Sequence, residues 1–300
     1  MTEQYTDLAT ALPSFIAYKP RAGPKVDTPI SDSRASRAEV FLAAFIRQPT
    51  VSVVIPALNE AENLPHVLPR IPRWVAEVLL VDGHSTDETV AVARQLWPEI
   101  RVITQEGQGK GAALRSGFAA ATGDIIVMLD ADGSTDPAEI PAFVGTLLAG
   151  ADFAKGSRFL QGGGTADMPF YRKLGNWGFV LSVRLLFGGS YSDLCYGYNA
   201  FWKRVLPQLQ LDGDGFEIET MMNVRALRNG LKIAEVPGFE TLRVYGTGHL
   251  RTIPDGWRVL KTIIREWFKR RSQQMPQGTV DTPAIAPAGN PLCDAANGEG

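Results

Sequence analysis

The sequence predicts an α/β protein in which a mainly parallel β-sheet is covered by helices on both faces. Two observations support this fold class: short apolar runs alternate with helix-like segments over residues 51–155, and the loops between them are short. A parallel sheet needs such alternation, because each crossover must return the chain to the same end of the sheet. The chain has 300 residues, 45% of them hydrophobic, which is enough for a sizeable core.

Five strands are predicted in the first half of the chain. Each is a short run rich in Val, Ile, Leu or other apolar residues, and the runs cover residues 51–56, 78–82, 100–104, 124–129 and 151–155. Helices are expected to begin near Asn59, Ser85 and Asp136, since Glu follows each of these polar residues three positions later. A further helix is expected after the glycine-rich loop at 107–111.

The second half of the chain predicts two helices, at 174–187 and 257–271, and one late strand at 233–237. Residues before 49 and after 273 show little apolar periodicity, and the C-terminal stretch is rich in Pro, Gly and Ala. We therefore divide the chain into four parts: a flexible N-terminal arm (1–48), a main domain (49–250), a basic amphipathic helix (251–273) and a disordered tail (274–300).

Composition excludes several classes of protein. The formal net charge of −2 provides no basic field, so no nucleic-acid partner is expected. Cys195 and Cys293 are far apart, which shows neither a disulfide framework nor a zinc-binding spacing. No secretory signal and no run of about 18 uncharged apolar residues is visible. We expect a cytoplasmic protein, either free or attached peripherally to the cytoplasmic face of the membrane.

Two carboxylates, Asp130 and Asp132, follow the fourth predicted strand with only Ala131 between them. This position is the carboxyl edge of the sheet, where open α/β sheets bind ligands. Two carboxylates this close repel each other unless a cation lies between them, and hard cations such as Mg²⁺ or Mn²⁺ prefer oxygen ligands. A metal site is one interpretation, and a solvated loop that caps the next helix is the other.

Other segments add polar residues to the same edge. Asp82 ends the second predicted strand, and Asn59 and Glu60 follow the first. The loop at 107–111, Gly-Gln-Gly-Lys-Gly, follows the third strand and matches neither a dinucleotide fingerprint nor a Walker A loop. Its backbone N–H groups and Lys110 suit a phosphate, with a solvent-exposed loop as the competing interpretation. Together these segments predict a site for a nucleotide whose phosphates meet a metal ion.

Four short motifs carry a resemblance to a known family. They are Pro-Ala-Leu-Asn-Glu at 56–60, the run Val-Asp-Gly-His-Ser-Thr-Asp-Glu-Thr at 81–89, Gly-Lys-Gly at 109–111 and Asp-Ala-Asp at 130–132. Their order and spacing resemble the inverting glycosyltransferases of family 2, which have the GT-A fold. Within that family the chain is most similar to dolichyl- or polyprenyl-phosphate mannosyl- and glucosyltransferases. The resemblance covers about residues 50–255.

The resemblance implies a role for each matching residue. A nucleotide-sugar donor would contact these residues: Pro56, Ala57, Asn59, Glu60, Asp82, Lys110, Asp130, Ala131 and Asp132. Asp130 and Asp132 would also bind Mg²⁺ or Mn²⁺ on the donor diphosphate. The phosphate of a polyprenyl or dolichyl acceptor would meet three arginines: Arg158, Arg172 and Arg243. The candidate catalytic residues are Asp130, Asp132 and Asp193.

The sequence departs from the family pattern at two positions. Gly83 stands where a second acid is common, which affects a base or ribose contact. Ser134 stands where members that act on lipid phosphates often carry a Gln metal ligand, so the third protein ligand is open and His249 is one candidate.

The implied activity is metal-dependent transfer of a hexose, with inversion, from a donor of the GDP-mannose or UDP-glucose type to a polyprenyl phosphate. A metal would stabilise the leaving diphosphate, and a phosphate acceptor is already an anion that needs no strong base. A soluble hydroxyl acceptor is the alternative and would need a general base, for which Asp193, Glu217 and Glu219 are candidates. A nucleotide-sugar-binding protein without turnover is the third hypothesis.

The segment 251–271 has seven basic and two acidic residues, and its Trp, Leu, Ile and Phe residues recur at helical spacing. A basic, aromatic amphipathic helix suits a membrane interface. The alternative is a helix that packs on the main domain and leaves its basic face in solvent.

Overall fold

A computed structural model describes residues 48–166, 168–248 and 251–269. Nearly all of the predicted N-terminal arm, the predicted C-terminal tail and His249 lie outside the described residues. Within the described part of the chain, none of the helices combines the length and the apolar character that crossing a membrane requires.

The strands of the structure are short, and those of the first half match the predicted runs closely. In chain order they are β1 (Val51–Ala57), β2 (Glu77–Asp82), β3 (Arg101–Thr104), β4 (Ile125–Met128), β5 (Phe153–Ser157), β6 (Gly164–Thr165), β7 (Asn199–Trp202), β8 (Ile233–Pro237) and β9 (Phe239–Glu240). Seven of them form the main sheet in the order β3–β2–β1–β4–β7–β5–β8, and β6 pairs with β9. Only β7 is antiparallel to its neighbours, β4 and β5, so the main sheet is mainly parallel, as predicted.

Helices connect these strands. They are α1 (Leu64–Val67), α2 (Thr89–Leu96), α3 (Lys110–Ala120), α4 (Ile140–Leu148), α5 (Phe170–Phe187), α6 (Leu206–Leu209), α7 (Glu217–Arg228) and α8 (Thr252–Phe268). The helix predicted at 174–187 begins four residues earlier, and the one predicted at 257–271 begins at Thr252. α5 ends where Gly188 adopts a φ of 74°, a left-handed conformation that favours glycine at a helix end.

Two of the three predicted helix starts were wrong. Asn59 has a φ of 55° and its side-chain oxygen accepts the N–H of Thr86, so it joins two loops rather than capping a helix. α2 begins at Thr89, whose N–H is accepted by Asp87 and not by Ser85. Asp136 does act as a cap, because its carboxylate accepts the N–H of Ala138 at 2.8 Å.

Both faces of the sheet are covered by apolar side chains, because successive residues of a strand point to opposite faces. On one face Val53 and Ile55 of β1 pack in a cluster with residues of α1 and α4. On the other face Val54 packs in a cluster with residues of α3 and α7, including Phe118 and Met222. Each fully buried apolar side chain contributes about 1.5–3 kcal/mol relative to an exposed one. The core therefore fixes the strands whose carboxyl ends carry the candidate site.

Candidate active site

The carboxyl ends of β1, β2 and β4 lie side by side, as predicted. Pro56 and Ala57 of β1 pair with Val81 and Asp82 of β2 in parallel register, and β4 pairs with the other edge of β1. Asp82 is nearly buried, and its Oδ1 accepts the N–H of Ser85 at 3.2 Å. The two strands therefore place Asp82 at the edge expected for a donor contact.

Lys110, the first residue of α3, lies between two carboxylates. Its Nζ is 2.7 Å from Oδ1 of Asp130 and 2.7 Å from Oε1 of Glu219, which lies in the first turn of α7. Burial lowers the pKa of Lys110, but the two carboxylates outweigh burial and raise its pKa overall. Burial also raises the pKa of Glu219. Lys110 is therefore a protonated cation beside Asp130.

Arg243 lies beside Asp132 in an equivalent way. Its Nη1 is 3.4 Å from Oδ2 of Asp132, and its Nη2 is 2.6 Å from both carboxylate oxygens of Glu60. Asn63 donates to Glu60 at 2.6 Å and accepts the N–H of Tyr245 at 2.9 Å. These hydrogen bonds connect the loop that follows β9 to the loop that follows β1, beside Asp132.

Glu60 was expected to contact the donor, but its carboxylate is buried and bound to Arg243 and Asn63. Ala131 is also buried, with 3% of its surface exposed. Asn63 was not predicted for this site. Its spacing of three residues after Glu60 was the available signal, since a turn brings such residues together.

The glycine-rich loop at 107–111 is not open to a phosphate in this structure. The N–H groups of Gly111 and Ala112 both donate to the carbonyl oxygen of Asp214, at 2.7 Å and 3.3 Å. A Cβ added at Gly111 would lie 2.7 Å from the carbonyl carbon of Asp214, so a side chain does not fit. The loop needs glycine because residues 213–215 approach its backbone. Two of the amides expected to bind a phosphate are therefore already bound to Asp214, whereas Lys110 lies beside Asp130.

Arg158 and Asp193 are brought together, but inside the protein. Nε and Nη2 of Arg158 bind the two oxygens of Asp193 at 2.7 Å and 3.0 Å, and Nη1 binds Glu240 at 2.9 Å. Burial alone would raise the pKa of Asp193, but Arg158 outweighs it and holds that pKa below its usual value. A buried carboxylate that is already paired is unsuited to act as a general base. A guanidinium whose three nitrogens all bind carboxylates is not available to bind an acceptor phosphate.

Arg172 lies in the first turn of α5. Its Nε donates to Oγ1 of Thr252 at 3.2 Å, which joins α5 to the start of α8. Of the three arginines expected to bind the acceptor, the structure therefore places Arg243 on Asp132 and Arg172 at the junction of two helices.

A cleft of about 340 Å³ opens beside Arg243. This volume falls in the range of small-molecule sites. The ring of Tyr245 at its wall lies 5.6 Å from the ring of His66. The cleft is lined by Asn59, Ala61, Glu62, Asn63, Asp87, Glu88, Arg243, Tyr245 and Gly246.

The side chains of Asp130 and Asp132 suit a hard divalent cation that arrives with a diphosphate. They are 26% and 24% exposed, so they can be reached from solvent. The described residues contain no group of three His, Cys, Asp or Glu side chains arranged for a metal. Mg²⁺ is commonly held by one or two carboxylates together with substrate phosphates, which matches a pair of aspartates.

Comparison with known proteins places these features in a family. The model of glycosyl transferase family 2 matches residues 52–209. The polyprenol monophosphomannose synthase of Mycolicibacterium smegmatis is 33% identical over 243 residues, which cover 76% of this chain and 90% of that protein. The dolichol-phosphate mannosyltransferase of Pyrococcus furiosus is 33% identical over 210 residues; the match covers 67% of this chain and 59% of that longer protein.

Solved structures show the same fold. Glucosyl-3-phosphoglycerate synthase from Mycobacterium tuberculosis, crystallised with Mn²⁺, UDP and glucosyl-3-phosphoglycerate, superposes with a TM-score of 0.60 at 25% identity. The match covers 77% of this chain and 84% of that one. A crystal structure of the same synthase with Mn²⁺, UDP-glucose and phosphoglyceric acid gives a TM-score of 0.60 at 26% identity. The predicted GT-A fold is confirmed, and with a family model that spans more than half of its length, the chain belongs to glycosyltransferase family 2.

Proposed function

We propose that this glycosyltransferase moves a hexose from a nucleotide-sugar to a polyprenyl phosphate, with inversion and with the help of Mg²⁺ or Mn²⁺. The observation that carries this proposal is the pair of solvent-accessible carboxylates, Asp130 and Asp132, at the carboxyl end of β4. The donor diphosphate would lie over this pair, near the cleft beside Arg243. The mannosyltransferase relatives support a polyprenyl phosphate as the acceptor.

Two acidic and two basic side chains would have separate roles in the proposed reaction. Asp130 and Asp132 would hold the divalent cation, and the bound cation would stabilise the negative charge that the leaving diphosphate gains. Lys110 and Arg243 add two positive charges at the same place. Fixed charges that are already oriented cost no reorganisation during the reaction, so positioning and charge stabilisation would provide most of the rate.

An acceptor that is already an anion fits the site better than a neutral hydroxyl. A hydroxyl needs a general base. Of the three candidates, Asp193 is buried and paired with Arg158, and Glu219 is buried and paired with Lys110. The third, Glu217, accepts the N–H of Gly215 through Oε1 at 3.0 Å. A phosphate monoester is ionised near neutral pH and needs no such base. The geometry therefore supports a phosphate as the attacking group.

The surface of α5 and α8 supports a lipid acceptor. In α8 Val259, Ile263 and Glu266 are buried, so the helix does pack on the main domain. Large apolar side chains nevertheless remain exposed on both helices, and an apolar surface next to basic residues is typical of proteins that bind membrane interfaces. The exposed side chains are Phe170, Tyr171, Leu174, Trp177, Leu181, Leu185, Ile253, Trp257, Ile264, Trp267 and Phe268.

A soluble phosphorylated acceptor is the second candidate. It is supported by the similarity to glucosyl-3-phosphoglycerate synthase, whose crystal structures contain phosphoglyceric acid or glucosyl-3-phosphoglycerate. Both candidates carry a phosphate, but in the soluble one a hydroxyl is the attacking group and would need a general base. They also differ in whether the exposed apolar surface of α5 and α8 takes part.

A transfer assay separates the candidates. The protein would be incubated with radiolabelled GDP-mannose or UDP-glucose, Mn²⁺, and either a polyprenyl phosphate in vesicles or 3-phosphoglycerate. We expect labelled lipid from one of the two donors, and no product when EDTA replaces Mn²⁺. Labelled 3-phosphoglycerate without labelled lipid would instead support the soluble acceptor, and transfer that is unaffected by EDTA would contradict metal dependence.

A further inference from the structure

Each aspartate of the Asp130–Asp132 pair has its own basic partner, and each basic partner has a second carboxylate behind it. Lys110 contacts both Asp130 and Glu219, at 2.7 Å each. Arg243 contacts Asp132 at 3.4 Å and Glu60 at 2.6 Å. The same arrangement is therefore built twice, from five different segments of the chain.

The two carboxylates of each arrangement differ in accessibility. The side chains of Glu219 and Glu60 are 7% and 8% exposed, whereas those of Asp130 and Asp132 are about three times more exposed. Gly197 closes the first arrangement on one side, because a Cβ added there would lie 2.8 Å from Oδ2 of Asp130 and 2.9 Å from Oε1 of Glu219. The inner carboxylates are thus placed to bind the basic side chains rather than a ligand from solvent.

A divalent cation bound to Asp130 and Asp132 would compete with Lys110 and Arg243 for the carboxylate oxygens of the aspartates. Like charges repel at this distance, so each aspartate cannot fully pair with the cation and with its basic side chain at once. If each basic side chain had only its aspartate, it would oppose the cation or leave the site. A second, inner carboxylate provides each basic side chain with another partner when the cation binds the aspartate. The basic side chain then remains close enough to face the diphosphate that comes with the cation.

We propose that Lys110 and Arg243 neutralise Asp130 and Asp132 while the site is empty, and that Glu219 and Glu60 retain the two basic side chains when a divalent cation and a diphosphate bind. Glu219 and Glu60 are then positioning residues that act through Lys110 and Arg243. This inference rests on the proposed metal-dependent function of the same site.

Mn²⁺ affinity tests the exchange of partners without any turnover. The dissociation constant of Mn²⁺ would be measured by electron paramagnetic resonance of the free ion, first without nucleotide. Lys110→Met removes a competitor and should tighten Mn²⁺ binding at least about threefold, whereas Glu219→Gln leaves Lys110 with Asp130 alone and should weaken it by a similar factor. Asp214→Asn, which removes an exposed acid that pairs with Arg115, is the control and should change little.

A second set of measurements uses UDP or GDP together with Mn²⁺. Here Lys110→Met should weaken nucleotide binding, because the cation that faces the diphosphate is gone. The opposite signs of the two effects are the signature of a side chain that competes with the metal and then assists the diphosphate. Equal Mn²⁺ affinity in the wild type, Lys110→Met and Glu219→Gln would overturn the proposal.

A crystal structure of the wild-type protein with Mn²⁺ and UDP provides a test that needs no variant. We expect the Nζ of Lys110 to remain within hydrogen-bond distance of Glu219 and Arg243 to remain on Glu60, with Asp130 and Asp132 turned to the metal. Either basic side chain found away from its glutamate would overturn the proposal. If the wild type binds no Mn²⁺ even with a nucleotide, the proposed function itself fails; if it binds Mn²⁺ but the partners do not exchange, only this inference fails.

Discussion

Arg158 and Asp193 form a two-point ion pair inside the protein, with Nε 2.7 Å from Oδ2 and Nη2 3.0 Å from Oδ1. The backbone N–H of Arg158 also donates to Asp193. The pair joins the end of β5 to the segment before β7, which contains Gly197 next to Asp130. A structural role therefore replaces the two chemical roles that the sequence suggested for these residues.

Asp193→Asn should destabilise the protein strongly. Removing one partner of a buried ion pair leaves the other charge uncompensated, which costs about 3–5 kcal/mol. Urea unfolding followed by circular dichroism measures the change. The control is Arg204→Gln, because Arg204 is exposed and pairs with Asp152 at the surface, where such pairs contribute about 0–1 kcal/mol. Equal effects of the two variants would contradict the buried-pair assignment.

The same pair predicts a pH dependence of stability. Because Arg158 lowers the folded-state pKa of Asp193, the carboxylate stabilises the folded protein above its unfolded pKa of about 3.9. That contribution is lost as the pH falls through the lower, folded-state pKa. The difference in free energy of unfolding between wild type and Asp193→Asn should be constant from about pH 6 to 8 and shrink below about pH 4. A difference that grows on acidification would be inconsistent with a lowered pKa.

Gly111→Ala should be destabilising although glycine is a poor helix former. A Cβ there collides with the backbone of residues 213 and 214, so α3 and this segment must separate, at a cost of about 1–3 kcal/mol or more. Gly145→Ala is the matched control, since nothing lies within 4 Å of its added Cβ in α4. It should be neutral or stabilising by up to about 1 kcal/mol. Thermal unfolding distinguishes the two, and a stable Gly111→Ala would refute the close approach.

The exposed apolar surface of α5 and α8 should bind vesicles. We expect Trp257→Gln combined with Trp267→Gln to reduce co-sedimentation with vesicles that contain anionic phosphatidylglycerol, because both indoles are more than half exposed. Trp74→Gln is the control: its side chain is also about half exposed, but it lies in the segment before β2 and not on these helices. Unchanged sedimentation of the double variant, or an equal loss with Trp74→Gln, would count against a membrane-binding surface on these helices.

The sequence predicted the parallel part of the sheet well, because β1, β2 and β4 are continuous apolar runs buried on both faces. It did not predict β7 or α7. Asn199–Trp202 is only four residues long, and its antiparallel place between β4 and β5 depends on pairing with distant strands. α7 buries polar side chains such as Glu219 and Arg225 as well as apolar ones, so it shows no amphipathic period.

The candidate site was predictable where strand ends determine it and not where distant segments meet. Asp82, Asp130 and Asp132 follow from the rule that parallel strands share a carboxyl edge. The carbonyl of Asp214 that occupies the glycine-rich loop comes from about 100 residues further along the chain, and no local pattern reveals it. The burial of Asp193 is likewise a tertiary effect, since nothing in its neighbouring residues distinguishes it from a loop acid.

The proposed function depends above all on the binding of a divalent cation by Asp130 and Asp132 against the diphosphate of the donor. Calorimetric titration of UDP and GDP into the protein, with Mn²⁺ and with EDTA, measures it most directly. We predict that Mn²⁺ strengthens nucleotide binding by about 100-fold or more and that Asp132→Asn abolishes this gain. Asp136→Asn should keep the gain, because asparagine caps the following turn as well as aspartate does. An Asp132→Asn variant that retains the full effect of Mn²⁺ would contradict this role of the aspartates.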